Sequence, residues 1–484
     1  MPNMNNSIIG WRSGSKRALN DPDHTKFRVE HDSIGDKEVP SDAYYGVQSL
    51  RAAENFPITG LTMHPEMVSS IVYIKKAAAI TNNETGRLPK EKADAIIKAC
   101  DEILEGRFLD NFIVDSIQGG AGTSLNMNAN EVIANRAIEI SGGNKGEYSV
   151  IHPNDDVNMG QSTNDVIPTA GKMTTIRLLM NLRIQMQCLQ VALSKKAEEF
   201  EKVVKMGRTQ MQDAVPISLG QEFRAYSDAV LRNVGRLDVA IEEMRSVNMG
   251  GTAIGTGINA GEEFISNIVP TLNTVSKMDL KHADDLIDST QNLDPFVTVS
   301  GIVKACAVSL SKIANDLRLM SSGPRTGLGE ISLPPRQNGS SIMPGKVNPV
   351  IPEVVNQVAF NVIGNDMTIT LAAEAGQLEL NAFEPIIFYN LFQSIDTLGY
   401  AVETFTDNCV TGIGANEKRC RELVENSIGI ITVLVPLVGY QKAADTAKKA
   451  LYSGRSVLDV VIEEKLLDPD TARDILDPEK MLRK

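Results

Sequence analysis

Apolar residues recur every three or four positions over three long stretches of this chain. Phe223, Tyr226, Val230, Val234, Leu237, Ile241 and Met244 form one stripe. Ile302, Cys306, Leu310, Ile313, Leu317 and Met320 form a second, and Leu182, Met186, Leu189, Leu193, Ala197 and Phe200 a third. That spacing places each set on one face of a helix of several turns. Such stripes are packed core, and no chemistry is assigned to them. Several helices of this length in the middle third predict a mainly α protein built around a long central helical bundle. Strand-like alternation is sparse and local, so an α/β sheet is not expected. Helices this long leave wide apolar flanks, which association of several chains would bury.

The breaks in the pattern suggest domain boundaries. Helical periodicity stops near Gly142, resumes after Asp165 and breaks again around Gly412 to Asn416. Three domains are expected: an N-terminal domain over 1–160, a central helical-bundle domain over 161–415, and a small C-terminal helical domain over 416–484. The last holds shorter helices and a distinct apolar patch from Ile428 to Val438. Residues 1–25 read as a flexible extension. Arg12, Lys16 and Arg17 are basic there, but the apolar core of a secretory signal is missing.

Charge narrows the partners. The formal net charge of −13 over 484 residues disfavours nucleic acid and anionic membrane. An anionic substrate must therefore be drawn by a local cation such as Arg208 or Lys346. Five widely spaced cysteines with no C-x-x-C pair argue against a disulfide framework or a zinc site, and fit a reducing, cytoplasmic location. No charge-free apolar stretch of membrane-spanning length is read, so no membrane span is expected. The histidines are His24, His31, His64, His152 and His282. No two are spaced as metal ligands, and no metal site is expected. His152 alone lies in a polar loop, where positioning the turn is the favoured role.

Four polar loops carry the candidate chemistry. Gly119-Gly-Ala-Gly-Thr-Ser124 is a glycine-rich turn before a helix rich in asparagine, and its backbone amides suit a carboxylate. His152 to Asp165 packs Ser162, Thr163 and Asn164 into an almost wholly polar run, where Ser162 and Thr163 also suit a helix N-cap. Gly207-Arg-Thr-Gln-Met-Gln-Asp-Ala214 separates two helical stretches. The fourth, Gly339-Ser-Ser-Ile-Met-Pro-Gly-Lys-Val-Asn-Pro349, is the most informative. Its glycines and prolines exclude a regular element. It gathers two hydroxyls, a cation and an amide in one short loop. Those groups suit removal of a proton from carbon next to a carboxylate: an oxygen takes the proton while Lys346 and Asn348 stabilise the charge that develops.

Two nucleotide motifs fail on spacing and context. Five residues separate Gly339 from Gly345 and Val347 follows Lys346, so the run is not a phosphate loop of the Gly-x4-Gly-Lys-Ser/Thr type. Gly255-Thr-Gly-Ile-Asn-Ala260 fits a dinucleotide fingerprint in letters only, because a long helix precedes it and no parallel strands surround it.

Taken together, the four loops resemble the aspartase/fumarase superfamily. The likeness runs from about Phe27 to the C-terminus, with the Ser340 run similar to that superfamily's signature loop. Gly207 to Ala214, Val350 to Gln357 and Asn426 to Thr432 resemble the aspartase form. Fumarases usually carry His where Gln210 stands, as do some aspartases. The resemblance implies a homotetramer with sites shared between subunits and no organic cofactor. It implies reversible elimination of ammonia from L-aspartate to give fumarate; the alternatives are a class II fumarase or an inactive binding relative. It assigns the general base to Ser340. It places Thr123, Ser162, Thr163 and Ser341 around the β-carboxylate, Thr209, Lys346 and Asn348 at the α-carboxylate, and Asn164 and Gln210 near the amino group. Glu353 either pairs with the group at Gln210 or caps the helix after the loop.

Overall fold

A computed structural model describes residues 26–482; the N-terminal extension, His24 included, lies outside the described residues. In chain order the elements are β1 (Phe27–Asp32), β2 (Gly35–Pro40), α1 (Val47–Asn55), α2 (Pro65–Glu84), α3 (Lys90–Leu104), α4 (Thr123–Ile140) and α5 (Thr163–Glu199). The hairpin β3 (Val204–Thr209) and β4 (Gln212–Ser218) then leads to α6 (Leu219–Glu243), α7 (Glu262–Ser276), α8 (Leu286–Gln291), α9 (Asp294–Met320), α10 (Val350–Glu374) and α11 (Glu384–Asn408). Short helices α12 (Glu417–Glu425), α13 (Val435–Val438), α14 (Tyr440–Ser453), α15 (Val457–Glu463) and α16 (Pro469–Ile475) complete the chain.

The three apolar stripes fall on helices α5, α6 and α9, with Phe200 and Met244 just past the ends of α5 and α6, and all their residues but Ile302 are buried. By length and composition α9 could cross a membrane, with a mean hydropathy of 1.5 over its most apolar window. Its Lys304 nevertheless pairs with Asp366, and Phe296, Cys306 and Leu310 along it are fully buried, as in a core helix.

The chain forms two compact units. The first comprises the chain up to Asn181, Leu237–Lys304 and Val362–Asp396. Here α2 packs on α3 and α7, and α3 on α4. The start of α1 is held by a buried carboxylate. Glu131 accepts from the amides of Gly46, Gln48 and Ser49 and from the Ser49 hydroxyl. Glu30 takes the Val47 amide. These bonds satisfy donors that the first turn of a helix leaves open. Gly46 is required there, because a Cβ would lie 2.6 Å from the Tyr148 hydroxyl and 2.7 Å from Glu131 Cδ.

The second unit comprises Leu182–Arg236, Ala305–Asn361 and Thr397–Lys484. Its C-terminal helices enclose a small core of Val424, Leu434, Val461 and Ala472, with Met206 of β3. The segment Gly207 to Ala214, expected to be a loop, is an antiparallel hairpin with a register shift between Met206 and Arg208. Thr209 pairs with Gln212 across a two-residue turn. Gln210 and Met211 both adopt positive φ, 52° and 66°, as a type I′ turn requires.

Candidate active site

In the second unit the Ser340 run is a loop, as its glycines and prolines predict. It is stitched by its own backbone. The Gly339 amide donates to the Lys346 carbonyl (2.9 Å), and Asn348 Nδ2 donates to the Gly339 carbonyl (2.9 Å). The strands of the loop approach so closely that a Cβ on Gly339 would sit 2.2 Å from the Lys346 oxygen. The Ser340 hydroxyl oxygen accepts from the amides of Ile342 (3.2 Å) and Met343 (3.0 Å). Two N–H dipoles therefore point at that oxygen, and they favour negative charge on it. Ser341 and Lys346 are exposed, and among the described residues Lys346 has no ion-pair partner. Asn348 contributes one amide proton to closing the loop. Glu353 lies in the first turn of α10, where its charge suits the helix dipole.

Thr209 and Gln210 occupy the exposed end of the β3–β4 hairpin in the same unit. Arg208 was a candidate for attracting anions, and the structure corrects this. Its guanidinium donates to the fully buried Glu330 carboxylate at 2.9 Å and its side chain is 16% exposed. Lys205, also buried, pairs with Glu222 at 2.6 Å. The pairing with Glu330 neutralises Arg208 and ties the hairpin to the segment that leads into the Ser340 loop. Of the two candidate cations, Lys346 is the exposed one.

Thr123, Ser162, Thr163 and Asn164 belong to the first unit. Gly120, Ala121 and Gly122 all have positive φ and deliver Thr123 to the start of α4. Its hydroxyl donates to the Gly120 carbonyl (2.7 Å). Ser162 begins α5 with a reciprocal cap. Its hydroxyl accepts from the Asn164 amide (3.2 Å), and its own amide donates to Asp165 (2.9 Å). The capping role foreseen for Ser162 is thus present. Thr163 Oγ1 accepts from Asn126 Nδ2 at 3.3 Å. Asn164 Nδ2 donates to the Ala253 carbonyl (2.7 Å), which leaves its Oδ1 able to accept from an amine. His152 Nδ1 accepts from the amides of Asn154 and Asp155, so it shapes the turn as expected.

Sequence reasoning missed the groups beneath these loops. Asp165 is fully buried and also accepts from the amides of Gly250 and Thr252. Burial raises its pKa to about 6 despite those donors. Lys75 on α2 is fully buried and donates to Asn158 Oδ1 (2.7 Å) and Gln161 Oε1 (3.0 Å). The signal for Asp165 was the Ser-x-x-Asp spacing of a capping box. For Lys75 it was a cation inside the apolar run Ile71 to Ala79. Among the described residues no cluster of histidine, cysteine and carboxylate side chains is placed to hold a metal ion.

A mainly helical scaffold thus carries a loop in which a serine oxygen is seated on two backbone amides, an arrangement that suits proton abstraction by a lyase. The comparisons agree. Residues 35–364 match a family model described as lyase, and 430–483 one described as fumarase C C-terminus. An aspartate ammonia-lyase from a Bacillus species is 54% identical over 95% of this chain and 98% of its own length. That of Bacillus subtilis is 53% identical over 95% and 96%. A Brucella melitensis structure described as fumarate lyase:delta crystallin bound to cobalt superposes with a TM-score of 0.92 at 51% identity, covering 94% of this chain and 99% of that one. A class II fumarase from Schistosoma mansoni gives 0.91 at 35% identity over 94% and 99%. The chain belongs to the aspartase/fumarase superfamily, and its fold is the mainly α fold of that superfamily.

Proposed function

We propose that this protein is an aspartate ammonia-lyase, which converts L-aspartate reversibly to fumarate and ammonia. Two supports are independent of each other. One is the identity of more than half with aspartate ammonia-lyases along nearly the whole chain. The other is the single observation that carries the chemistry, the Ser340 oxygen under two backbone amides. A serine hydroxyl is a very weak acid, and those dipoles, with Lys346 in the same loop, favour its alkoxide.

In the proposed reaction the Ser340 alkoxide takes a proton from Cβ. The electron pair moves into the β-carboxylate and forms an aci-carboxylate. Collapse of that dianion makes the Cα–Cβ double bond and expels the amine as ammonia. Thr123, Ser162, Thr163 and Ser341 receive the growing charge on the β-carboxylate with donors that add no competing anion. Thr209, Lys346 and Asn348 hold the α-carboxylate, and Asn164 and Gln210 face the amino group.

The same reading includes a cytoplasmic homotetramer with sites shared between subunits. One face of α10 supports it: Phe360, Met367 and Leu371 are 63%, 61% and 59% exposed at helical spacing, an apolar strip that a second chain would cover. It also includes three domains, over 1–160, 161–415 and 416–484. The core around Val424 and Val461, which Met206 of β3 joins, supports the last of them.

Purified protein supplied with L-aspartate should raise absorbance at the fumarate band, and L-malate should not. A signal from L-malate alone would replace this reading with a fumarase.

A further inference from the structure

The Ser162–Asn164 loop rests on a buried cation that the reaction above does not use. Lys75 lies in the middle of α2 with no exposed surface. Its Nζ donates to Asn158 Oδ1 and Gln161 Oε1. The chain of contacts continues upward. Asn126 Nδ2 lies 3.3 Å from both Asn158 Oδ1 and Thr163 Oγ1. Asn158 Nδ2 and Gln161 Nε2 in turn hold carbonyls of the same loop, those of Gln161, Val157 and Met159. Asn126 Oδ1 is buried and has no hydrogen-bond partner, so the network stops at the loop with an open acceptor.

An ammonium is a poor choice for a mere spacer in this place. Removing it from water is costly, and an apolar side chain of similar length would fill the same volume. What lysine adds is a positive charge under residues proposed to receive a carboxylate. We propose, resting on the function above, that Lys75 is a positioning residue. Its ammonium fixes Asn158 and Gln161, and through Asn126 sets Thr163 for the substrate carboxylate, whose charge it complements.

The surroundings make this charge sensitive to pH. Burial pushes Lys75 down to about 7, against the opposing pull of Asp165 at the start of α5 and of Cys100 on α3. Of the other ionic groups nearby, Lys76 pairs with Asp101 and Asp156 with Lys92, while the Arg87 guanidinium donates to the carbonyls of Asn259 and Ala260. Asn126 of α4 meets the network as a neutral amide. Lys75 is therefore an ammonium below neutrality and an amine above it. A bound dianion favours the ammonium form, so affinity should fall as pH rises through the folded pKa.

Fumarate is the suitable probe, because carboxyl groups titrate near pH ~4 and it stays a dianion throughout. Its dissociation constant is measured by calorimetry between about pH 6 and 9, beside turnover of L-aspartate. The wild type should bind about tenfold more weakly at the upper end. Lys75→Met should bind weakly at every pH, with kcat/KM for L-aspartate down by about 10- to 100-fold, carried by KM. Asn158→Asp places a carboxylate beside Lys75 and should move the wild-type profile upward by about one pH unit. Lys76→Met, which removes the neighbouring surface pair, should keep the wild-type profile. Asp165 and Glu131 titrate in the same range and remain in Lys75→Met, so loss of the pH dependence assigns it to Lys75. A profile unchanged in both Lys75→Met and Asn158→Asp overturns the inference while leaving the proposed function intact. If Lys75→Met does not fold, an unmoved profile in Asn158→Asp overturns it alone. A wild type that neither deaminates L-aspartate nor binds fumarate overturns the proposed function, and the inference with it.

Discussion

Replacing Gly339 by alanine tests whether the shape of the serine loop, and not only its residues, sets activity. The added Cβ would meet the Lys346 carbonyl oxygen at 2.2 Å, its carbon at 2.8 Å and the Asn348 nitrogen at 3.0 Å. All three belong to backbone, so no side chain can swing aside to make room. Ordinary van der Waals contact begins at roughly 3.4 Å, so the two limbs must separate by about 1 Å. That movement breaks the Gly339 amide bond to Lys346 and strains the Asn348 bond to Gly339. Ser340 follows Gly339 directly, so its oxygen shifts relative to the amides of Ile342 and Met343. A misplacement of this size costs on the order of 100-fold in rate, or about 2.7 kcal/mol of transition-state stabilisation. Most of the loop is exposed and belongs to no core, so the melting temperature should move by less than about 2 °C. The assay is kcat for fumarate formation beside a thermal melt. A kcat within about threefold of wild type would refute the reasoning, because the loop would then tolerate a displaced Ser340.

Two further outcomes follow from other parts of the molecule. Burial raises the Glu131 carboxyl to about 7, well above the ordinary carboxylate range, outweighing its hydrogen bonds to Ser49 and to the amides of the α1 start. A carboxyl raised in the folded state contributes stability that is complete below about pH 4.5 and lost as pH rises through about 7, worth roughly 3 kcal/mol. Glu131→Gln should therefore shrink the difference in urea midpoint between pH 5 and pH 7.5, and an unchanged difference would count against it. Gln210 holds a left-handed conformation at φ 52° without being glycine. Gln210→Gly relieves about 1 kcal/mol of backbone cost yet removes the amide proposed to face the substrate amine. Thermal stability should hold or rise slightly while KM for L-aspartate rises about tenfold; an unchanged KM would remove Gln210 from the binding set.

The helices were legible because burial imposes a period. Phe223 to Met244 and Leu182 to Phe200 repeat every three or four residues, and each became the buried face of one helix. The Ser340 loop was legible because Gly339, Pro344, Gly345 and Pro349 exclude regular structure. The β3–β4 hairpin was not. Its turn residues are Gln210 and Met211 where a type I′ turn favours asparagine and glycine, and Pro216 lies inside β4. Arg208 read as an available cation because its partner Glu330 is 122 positions away in sequence. Lys75 escaped notice for a similar reason. A lysine in a helix is normally at the surface, and the amides that receive Lys75, Asn158 and Gln161, come from a loop more than eighty residues on. Periodicity reports which face is buried, whereas such long-range polar pairings leave no local pattern.

The central claim is that Ser340 removes the Cβ proton of L-aspartate. Its most direct test is the rate of fumarate formation from saturating L-aspartate by Ser340→Ala, measured beside the wild type and with the melting temperature of both. The account predicts rapid fumarate formation by the wild type and a fall of at least about a thousandfold in an equally stable variant, since the loss of the base removes general-base catalysis outright. A stable Ser340→Ala protein that forms fumarate at a rate near wild type would contradict it.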